Sequence, residues 1–400
     1  VNHSDWTRLL SDVSLPAAVV DLDALDRNIL HIRGRIEKSG KKLRVASKSV
    51  RIPEILKRIF EVGGPSFHGI LTYSVRESTF LHSAGFRDLV VAYPTLQKSD
   101  LETAAPLLLK DSKALTFMVD SKEHLIFLSE FHKSRDLSGT INVCIDIDMS
   151  YRPFGLHLGV RRSPIRSLDQ LSWLLDELKQ HPGLNLRGMM GYEAQIAGMA
   201  ESNPFAPILN PAKKLIKKLS IPDVAQKRQA IHALLQARGV QLEFFNGGGS
   251  GSLDSTLLES PITEATAGSG FLQSHLFDYY TGNRNEAALY IALRASRRPE
   301  PGILVCQGGG IIGSGEISDE KAMIPVSPKG LTLLGTEGCG EVQTPLRVPP
   351  KTPLGLGDPI LFRPAKAGEP LERFREIHLL SNGHLVGTAP TYRGLNQEFQ

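Results

Sequence analysis

Two short stretches of this 400-residue chain hold the residue types that amine and anion chemistry require. Leu43-Arg-Val-Ala-Ser-Lys-Ser-Val-Arg51 is an apolar run that ends at Lys48. Leu242-Glu-Phe-Phe-Asn-Gly-Gly-Gly-Ser-Gly-Ser252 is an apolar run that ends in glycines and serines. A lysine becomes a useful nucleophile when it is partly desolvated or set beside other cations, and Arg44 and Arg51 are close in sequence. Taken alone, a solvent-facing lysine past a strand end is the plainer reading. The run Asn246, Gly248, Gly249, Ser250, Gly251, Ser252 suits an anion better than a linker does, because bare backbone amides approach closely and hydroxyls add donors. Gly268-Ser269-Gly270 offers a second set of amides. Neither run matches GxxxxGK[ST] or GxGxxG, which argues against ATP and dinucleotides.

The elements that would position these residues are legible as alternation. Apolar β-rich runs fall at 43–47, 67–72, 88–93, 115–120, 141–148, 186–192, 242–246 and 262–267. Most are continuously apolar, as parallel strands covered on both faces are. Amphipathic segments at 53–62, 75–84, 168–180 and 224–237 lie between them. Eight such repeats predict an α/β fold, a (β/α)8 TIM-type barrel, with Lys48 and both glycine runs at its catalytic, C-terminal mouth. A further run at 17–22 precedes the barrel, and Asp21 is placed to cap the helix after it. Beyond about residue 285 helical periodicity gives way to Gly, Pro and short β runs at 288–296, 303–306, 330–334, 359–362, 377–380 and 384–388. The expected domains are therefore 1–285, a barrel with an N-terminal extension, and 286–400, a smaller antiparallel β domain.

Composition narrows the function classes. The chain is 41% hydrophobic and 22% charged with a net charge of +4, an ordinary globular mixture without the basic concentration that nucleic acid requires. The pairs Arg161-Arg162, Lys213-Lys214 and Lys217-Lys218 read as solvated surface. Cys144, Cys306 and Cys339 are far apart and form neither a disulfide framework nor a zinc knuckle. No apolar run is long enough to cross a membrane, and no leader pattern opens the chain, so a cytoplasmic setting is expected.

A strand-end lysine beside a phosphate cradle suits an aldehyde cofactor bearing a phosphate, pyridoxal 5'-phosphate. Tyr192, after Gly188-Met-Met-Gly191, can stack on its ring or simply pack over the barrel top. Asp146 and Asp148 share one strand face and read as structural partners of Arg161 and Arg162. With these residues in place, the chain resembles the fold-type III pyridoxal-phosphate enzymes: alanine racemase, D-threonine aldolase and eukaryotic-type D-serine dehydratase. It is most similar to the bacterial amino acid deaminase/aldolase group. The resemblance runs through Pro16-Ala-Ala-Val-Val-Asp-Leu-Asp23, Arg44-Val-Ala-Ser-Lys-Ser-Val-Arg51, Gly191-Tyr-Glu-Ala194, Phe245-Asn-Gly-Gly-Gly249, Gly340-Glu-Val-Gln-Thr-Pro345, Ala365-Lys-Ala-Gly-Glu369 and Pro390-Thr-Tyr-Arg-Gly394. It implies that Lys48 forms the internal aldimine, that 248–252 and Gly268-Ser269 hold the phosphate, and that the protein is a head-to-tail homodimer.

Departures from those relatives shape the expected reaction. Where the metal-dependent members carry His and Cys ligands, this chain has Gln343, Lys366 and Gly368, so no metal is expected at that place. An arginine that relatives set near the cofactor phenolate is replaced by His157, leaving His157 or Arg152 for its role. Relatives often have histidine where Gln195 stands. The expected activity is a lyase on a small-molecule D-amino acid bearing a β-hydroxyl, by aldol cleavage or by dehydration and deamination. Lys366, Glu369 and Tyr392 are the candidates for the group at the β-hydroxyl. A racemase using Tyr392 or another small-domain residue as second base is the alternative. A non-catalytic cofactor carrier fits less well, because such proteins lack the β domain, and a barrel enzyme without the cofactor is the remaining rival.

Overall fold

The computed structural model describes residues 2–282 and 284–399. Strand β1 (Ala17–Asp21) leads into a helix, Leu22–Ser39, whose N-terminus is capped by the Asp21 carboxylate accepting from the Ala24 amide at 2.9 Å. Eight parallel strands then close into a barrel: β2 (Lys42–Ala46), β3 (Phe67–Thr72), β4 (Leu89–Val91), β5 (Leu115–Val119), β6 (Ile141–Asp146), β7 (Leu184–Gly191), β8 (Phe244–Gly247) and β9 (Glu264–Ala267). Closure is made by β2 against β9, with Leu43 opposite Ala265. Strand faces divide the core. Val90, Met118, Cys144, Met190 and Phe244 pack together inside the barrel, while Leu43, Ile70, Leu89, Phe117, Val143 and Phe245 join the helices in the main core. That division is the period of two expected of strands with two covered faces.

Arg44 also points inward. It is 1% exposed, donates to Glu264 at 2.7 and 3.0 Å and to Asp88, and lies 5.0 Å from the Phe244 ring centroid. Its guanidinium is thus paired within the barrel interior. Arg51 is also engaged, with Glu372 and with the Lys48 carbonyl at 3.1 Å.

The second sheet has nine strands. It comprises β1 with β10 (Leu289–Arg297), β11 (Ile303–Gln307), β12 (Ile324–Ser327), β13 (Thr332–Leu333), β14 (Gln343–Arg347), β15 (Pro359–Arg363), β16 (Glu376–Ser381) and β17 (His384–Pro390). Here the structure departs from the reading of residues 1–285 as one unit. Strand β1 pairs antiparallel with β10 and parallel with β16, so the N-terminal run completes the second domain and the sheet is mixed. The helix His3–Leu9 packs there too, burying Trp6 against Val19, Ala292 and Leu380.

Several links join the sheet to the barrel mouth, beside the Arg51–Glu372 pair. The His275 amide donates to the Pro364 carbonyl at 3.2 Å and the Tyr392 amide to the Arg51 carbonyl at 3.1 Å. At Gly368 a Cβ would overlap the Lys48 carbonyl oxygen and press on the Ser49 Cα.

Candidate active site

Lys48 lies in the single 3-10 turn, Ser47–Ser49, that follows β2. Its side chain opens into a cleft at the barrel mouth. The structure brings Lys48, Tyr192, Asn246, Gly248, Gly249, Ser250, Gly268 and Ser269 together around this one space, although they come from four different strand ends. Gly251 and Ser252, expected beside them, stand back from it. A Cβ on Gly251 would collide with the Tyr280 ring, and the Ser252 hydroxyl is buried beneath the loop.

That burial explains how a glycine run holds a fixed shape. Glu193, at the end of β7, accepts from the Ser252 hydroxyl at 2.7 Å, the Thr256 hydroxyl at 2.5 Å, the Gly248 amide at 3.1 Å and the Arg228 guanidinium at 2.5 Å. Burial works to raise its pKa, but Arg228 and these donors outweigh burial and hold the carboxyl low. The loop is thus fastened from below and presents its amides upward. Backbone N–H groups of Ser250, Gly251 and Ser269 have no acceptor among the described residues. Gly248 has φ +89°, and a Cβ on Gly249 would come within 2.9 Å of the Ala197 Cβ. Ser250 Oγ accepts from the Gly270 amide at 2.9 Å, which ties the two glycine runs together.

Around the rest of the cleft, Asn246 is fixed by bonds of 2.9 Å to Glu264 and 2.8 Å to Thr266. Sequence reasoning missed Arg162. Its guanidinium carbon lies 5.3 Å from the Tyr93 ring centroid and 5.4 Å from that of Tyr192, and it faces the cleft. The plain doublet Arg161-Arg162 carried no signal of this, since only tertiary folding sets it between two tyrosines. Burial pushes the Tyr192 phenol up to about 12, and Glu193 adds to that. The Tyr73 hydroxyl, also on the cleft, is buried with no hydrogen-bond partner among the described residues. Asp146 is raised to about 7 by burial and by Asp120, against the pull of Arg162. Asp148 pairs with Arg152 at 2.8 Å and Arg166 at 3.3 Å rather than with Arg161. The bond to Asp148 holds Arg152 away from the cleft and leaves His157 as the nearer of the two residues expected there.

An outer cleft continues from Lys48 toward the second domain. His157 and Gln195 line its barrel side, and Lys366 and Glu369 line its β-domain side. Lys366 Nζ donates to Ser314 Oγ at 2.6 Å and lies 3.8 Å from Glu369, which in turn accepts from the Ser314 amide at 3.0 Å. Tyr392 does not reach either space. It is 1% exposed, its hydroxyl donates to Glu77 at 2.8 Å, and its ring packs on Phe80 and Phe399. Tyr392 is therefore corrected from a candidate acid–base group to a buried tether between the domains.

Comparison with known proteins agrees with this architecture. The family profile described as alanine racemase, N-terminal domain, matches residues 20–252, more than half of the 400 residues, and the chain belongs to that family. A 3-hydroxy-D-aspartate aldolase of Paracoccus denitrificans (strain Pd 1222) is 23% identical over 242 residues. That match covers 60% of this chain and only 56% of the relative's length. A D-threonine aldolase of an Arthrobacter species is 21% identical over 306 residues, covering 75% of this chain and 73% of its own. The crystal structure of D-threonine aldolase from Filomicrobium marinum superimposes with a TM-score of 0.81 at 20% identity, covering 96% of both chains.

Membership makes the protein a pyridoxal-phosphate enzyme. The residues present fit that group. Lys48 would carry it, the unpaired amides of Ser250 and Ser269 would take its phosphate, and Arg162 and Tyr192 would flank its ring.

Proposed function

We propose that the protein is a pyridoxal-phosphate-dependent lyase acting on a D-configured β-hydroxy amino acid, by aldol cleavage or by dehydration with deamination, without a metal. One observation carries this: Lys48 and Lys366 reach into one continuous cleft from opposite domains. Relatives that act on D-threonine and on 3-hydroxy-D-aspartate support it. The proposal includes a homodimer working in the cytoplasm.

When bound, the cofactor's ring supplies an electron sink for the bond broken at the substrate Cα. Lys48 Nζ moves the proton at Cα, and the amides of the glycine loops fix the anionic end against which the substrate is oriented. Lys366 Nζ holds or takes the proton at the β-oxygen, with Ser314 as its relay and Glu369 stabilising the ammonium. Aldol cleavage then gives glycine and an aldehyde, and dehydration gives a 2-oxo acid and ammonia. The donor set supports a reaction without metal. Among the described residues no three His, Cys, Asp or Glu side chains gather as a metal site. Gly368 is occupied in close packing and Lys366 in bonds to Ser314. Tyr392 is buried and tethered, so a racemase would need another small-domain residue as its second base.

The test is reduction of the holoenzyme with borohydride, peptide mass mapping, and product analysis with D- and L-β-hydroxy amino acids, with and without EDTA. A pyridoxyl group on Lys48, turnover of D-isomers alone and indifference to EDTA are expected. Lys366→Met should keep the pyridoxyl adduct and lower kcat by about 10²–10⁴. Racemisation without cleavage, or loss of turnover in EDTA, overturns the reading.

A further inference from the structure

Among the described residues that line the cleft around Lys48, none is an aspartate or glutamate. A carboxylate nevertheless lies one hydrogen bond beneath the floor. Glu264, the first residue of β9, has a side chain only 1% exposed and accepts from Asn246 Nδ2 at 2.9 Å. The same Nδ2 donates to the Thr266 hydroxyl oxygen at 2.8 Å, and Asn246 and Thr266 both line the cleft. Glu264 is held in turn by a ladder of charges inside the barrel. Arg44 donates to it at 2.7 and 3.0 Å, and His68 Nε2 lies 2.8 Å from its Oε2. Arg44 also bonds Asp88, Asp88 pairs with Arg187 at 2.7 Å, and Arg187 ends on Glu243 at 2.7 Å, before the start of β8. Burial alone would raise the Glu264 carboxyl, but Arg44 and His68 outweigh it and hold it at about 2.

An ionised carboxylate accepts and cannot donate, so the Asn246 amide has one workable orientation, with Nδ2 turned to Glu264. The second Nδ2 proton goes to the Thr266 oxygen. The Thr266 hydroxyl proton is then left to Asn246 Oδ1, at a longer 3.1 Å, or to a ligand in the cleft. A hydroxyl that already accepts a hydrogen bond donates more strongly. Barrel topology selects the atom that meets it. The strand order β8, β9, β2 sets the phosphate cradle, beyond β8 and β9, beside Lys48, beyond β2. Thr266 is paired with Arg44, four residues before Lys48, so it lies deeper in the barrel than the lysine. On the pyridoxal ring the nitrogen stands opposite the carbon that bears the aldehyde, and so on the side away from Lys48.

We propose that Glu264 is a positioning residue for the cofactor: through Asn246 it aims the Thr266 hydroxyl at the ring nitrogen of pyridoxal phosphate. Thr266 touches the cofactor, and the ion pairs beneath keep Glu264 an acceptor. This arrangement depends on cofactor binding alone and is the same whichever bond at the substrate Cα is broken.

Absorbance titration with pyridoxal 5'-phosphate reads affinity and the position of the bound cofactor's visible band, without turnover. Thr266→Val is close to isosteric and leaves every ion pair in place, but it removes the donor. It should move the band and weaken cofactor binding by about fivefold or more, as loss of one hydrogen bond does. Thr266→Ser should bind within about twofold of the native protein and keep the native band. Glu264→Gln gives Asn246 a donor as well as an acceptor to face, so the amide can turn over and the Thr266 proton loses its direction. Its effects should match those of Thr266→Val, and the double variant should bind within about twofold of either alone. Asn246→Ala breaks the same path without unpairing Arg44 and takes the place of Glu264→Gln if that variant does not fold. Native affinity with an unmoved band in Thr266→Val overturns the donor. Equal losses in Thr266→Ser and Thr266→Val overturn it too, since packing rather than the hydroxyl would then hold the ring. Losses that multiply in the double variant overturn the path from Glu264 and leave it an interior ion-pair partner. Lyase turnover enters none of these readouts, so failure of the proposed reaction would leave them intact.

Discussion

Glu77 shows how one buried group beneath the site ties chemistry to stability. It accepts from the Tyr392 hydroxyl at 2.8 Å and the Tyr73 amide at 2.8 Å, and its carboxyl is raised to about 7, chiefly by burial. These bonds and nearby Arg51 only partly offset the cost of ionising it. A carboxyl whose folded pKa lies above its unfolded value binds more protons in the folded state at intermediate pH. Its contribution is therefore fully present below the unfolded value of 4.5 and is lost as pH rises toward 7. The loss across that window is about 3 kcal/mol at ~1.4 kcal/mol per unit. Glu77→Gln mimics the neutral acid, so its urea-unfolding free energy should decline less than the native protein's between those pH values. Parallel pH profiles for the two proteins would refute this. Asp146, also raised to about 7, has the same sign and keeps some slope in the variant.

At the scale of elements, the glycine loop behaves as part of β7 and β8 rather than as a flexible connection, because Glu193 fastens it to Arg228, Ser252 and Thr256. Glu193→Gln removes the charge opposite a buried guanidinium and should cost about 1–3 kcal/mol in urea unfolding. It should also weaken cofactor retention, read by absorbance after dialysis, although Glu193 does not itself line the cleft. Unchanged retention would show that the loop holds its shape unaided. The same elements explain what sequence could and could not reveal. Barrel strands such as Phe67–Thr72 and Leu115–Val119 were legible because both faces are largely covered and the runs are mostly apolar. Strands Ile324–Ser327 and Gln343–Arg347 were not, since Pro325 and Pro345 demote such runs and polar residues break them. The helix Asn210–Ala237 was anticipated only from residue 224, because Pro222 and the lysine pairs mask its first half. Lys48 and the glycine run were found because their position after apolar strands already specified the barrel mouth. Arg162 and Ser314 owe their place to loops whose course no local pattern records.

The whole molecule works as a site because its β domain is held hard against the turn that carries Lys48. Strand β1 belongs to that domain yet precedes the barrel in sequence, so the sheet is covalently tied to both ends of the barrel and cannot swing away on one hinge. At the contact itself, Gly368 lies where any side chain would overlap the Lys48 carbonyl oxygen. This accounts for a glycine two residues after Lys366: close packing sets the depth at which Lys366 enters the cleft. The cofactor cradle, by contrast, is built from barrel residues alone. Gly368→Ala should therefore separate the two functions of the mouth. Overpacking should cost about 1–3 kcal/mol in urea unfolding. Displacement of the Lys366 loop should lower kcat by at least about tenfold, while cofactor affinity, followed by absorbance titration, stays within about twofold. If cofactor affinity fell together with kcat, cradle and second domain would form one coupled unit, and the division of labour between Lys48 and Lys366 would have to be abandoned.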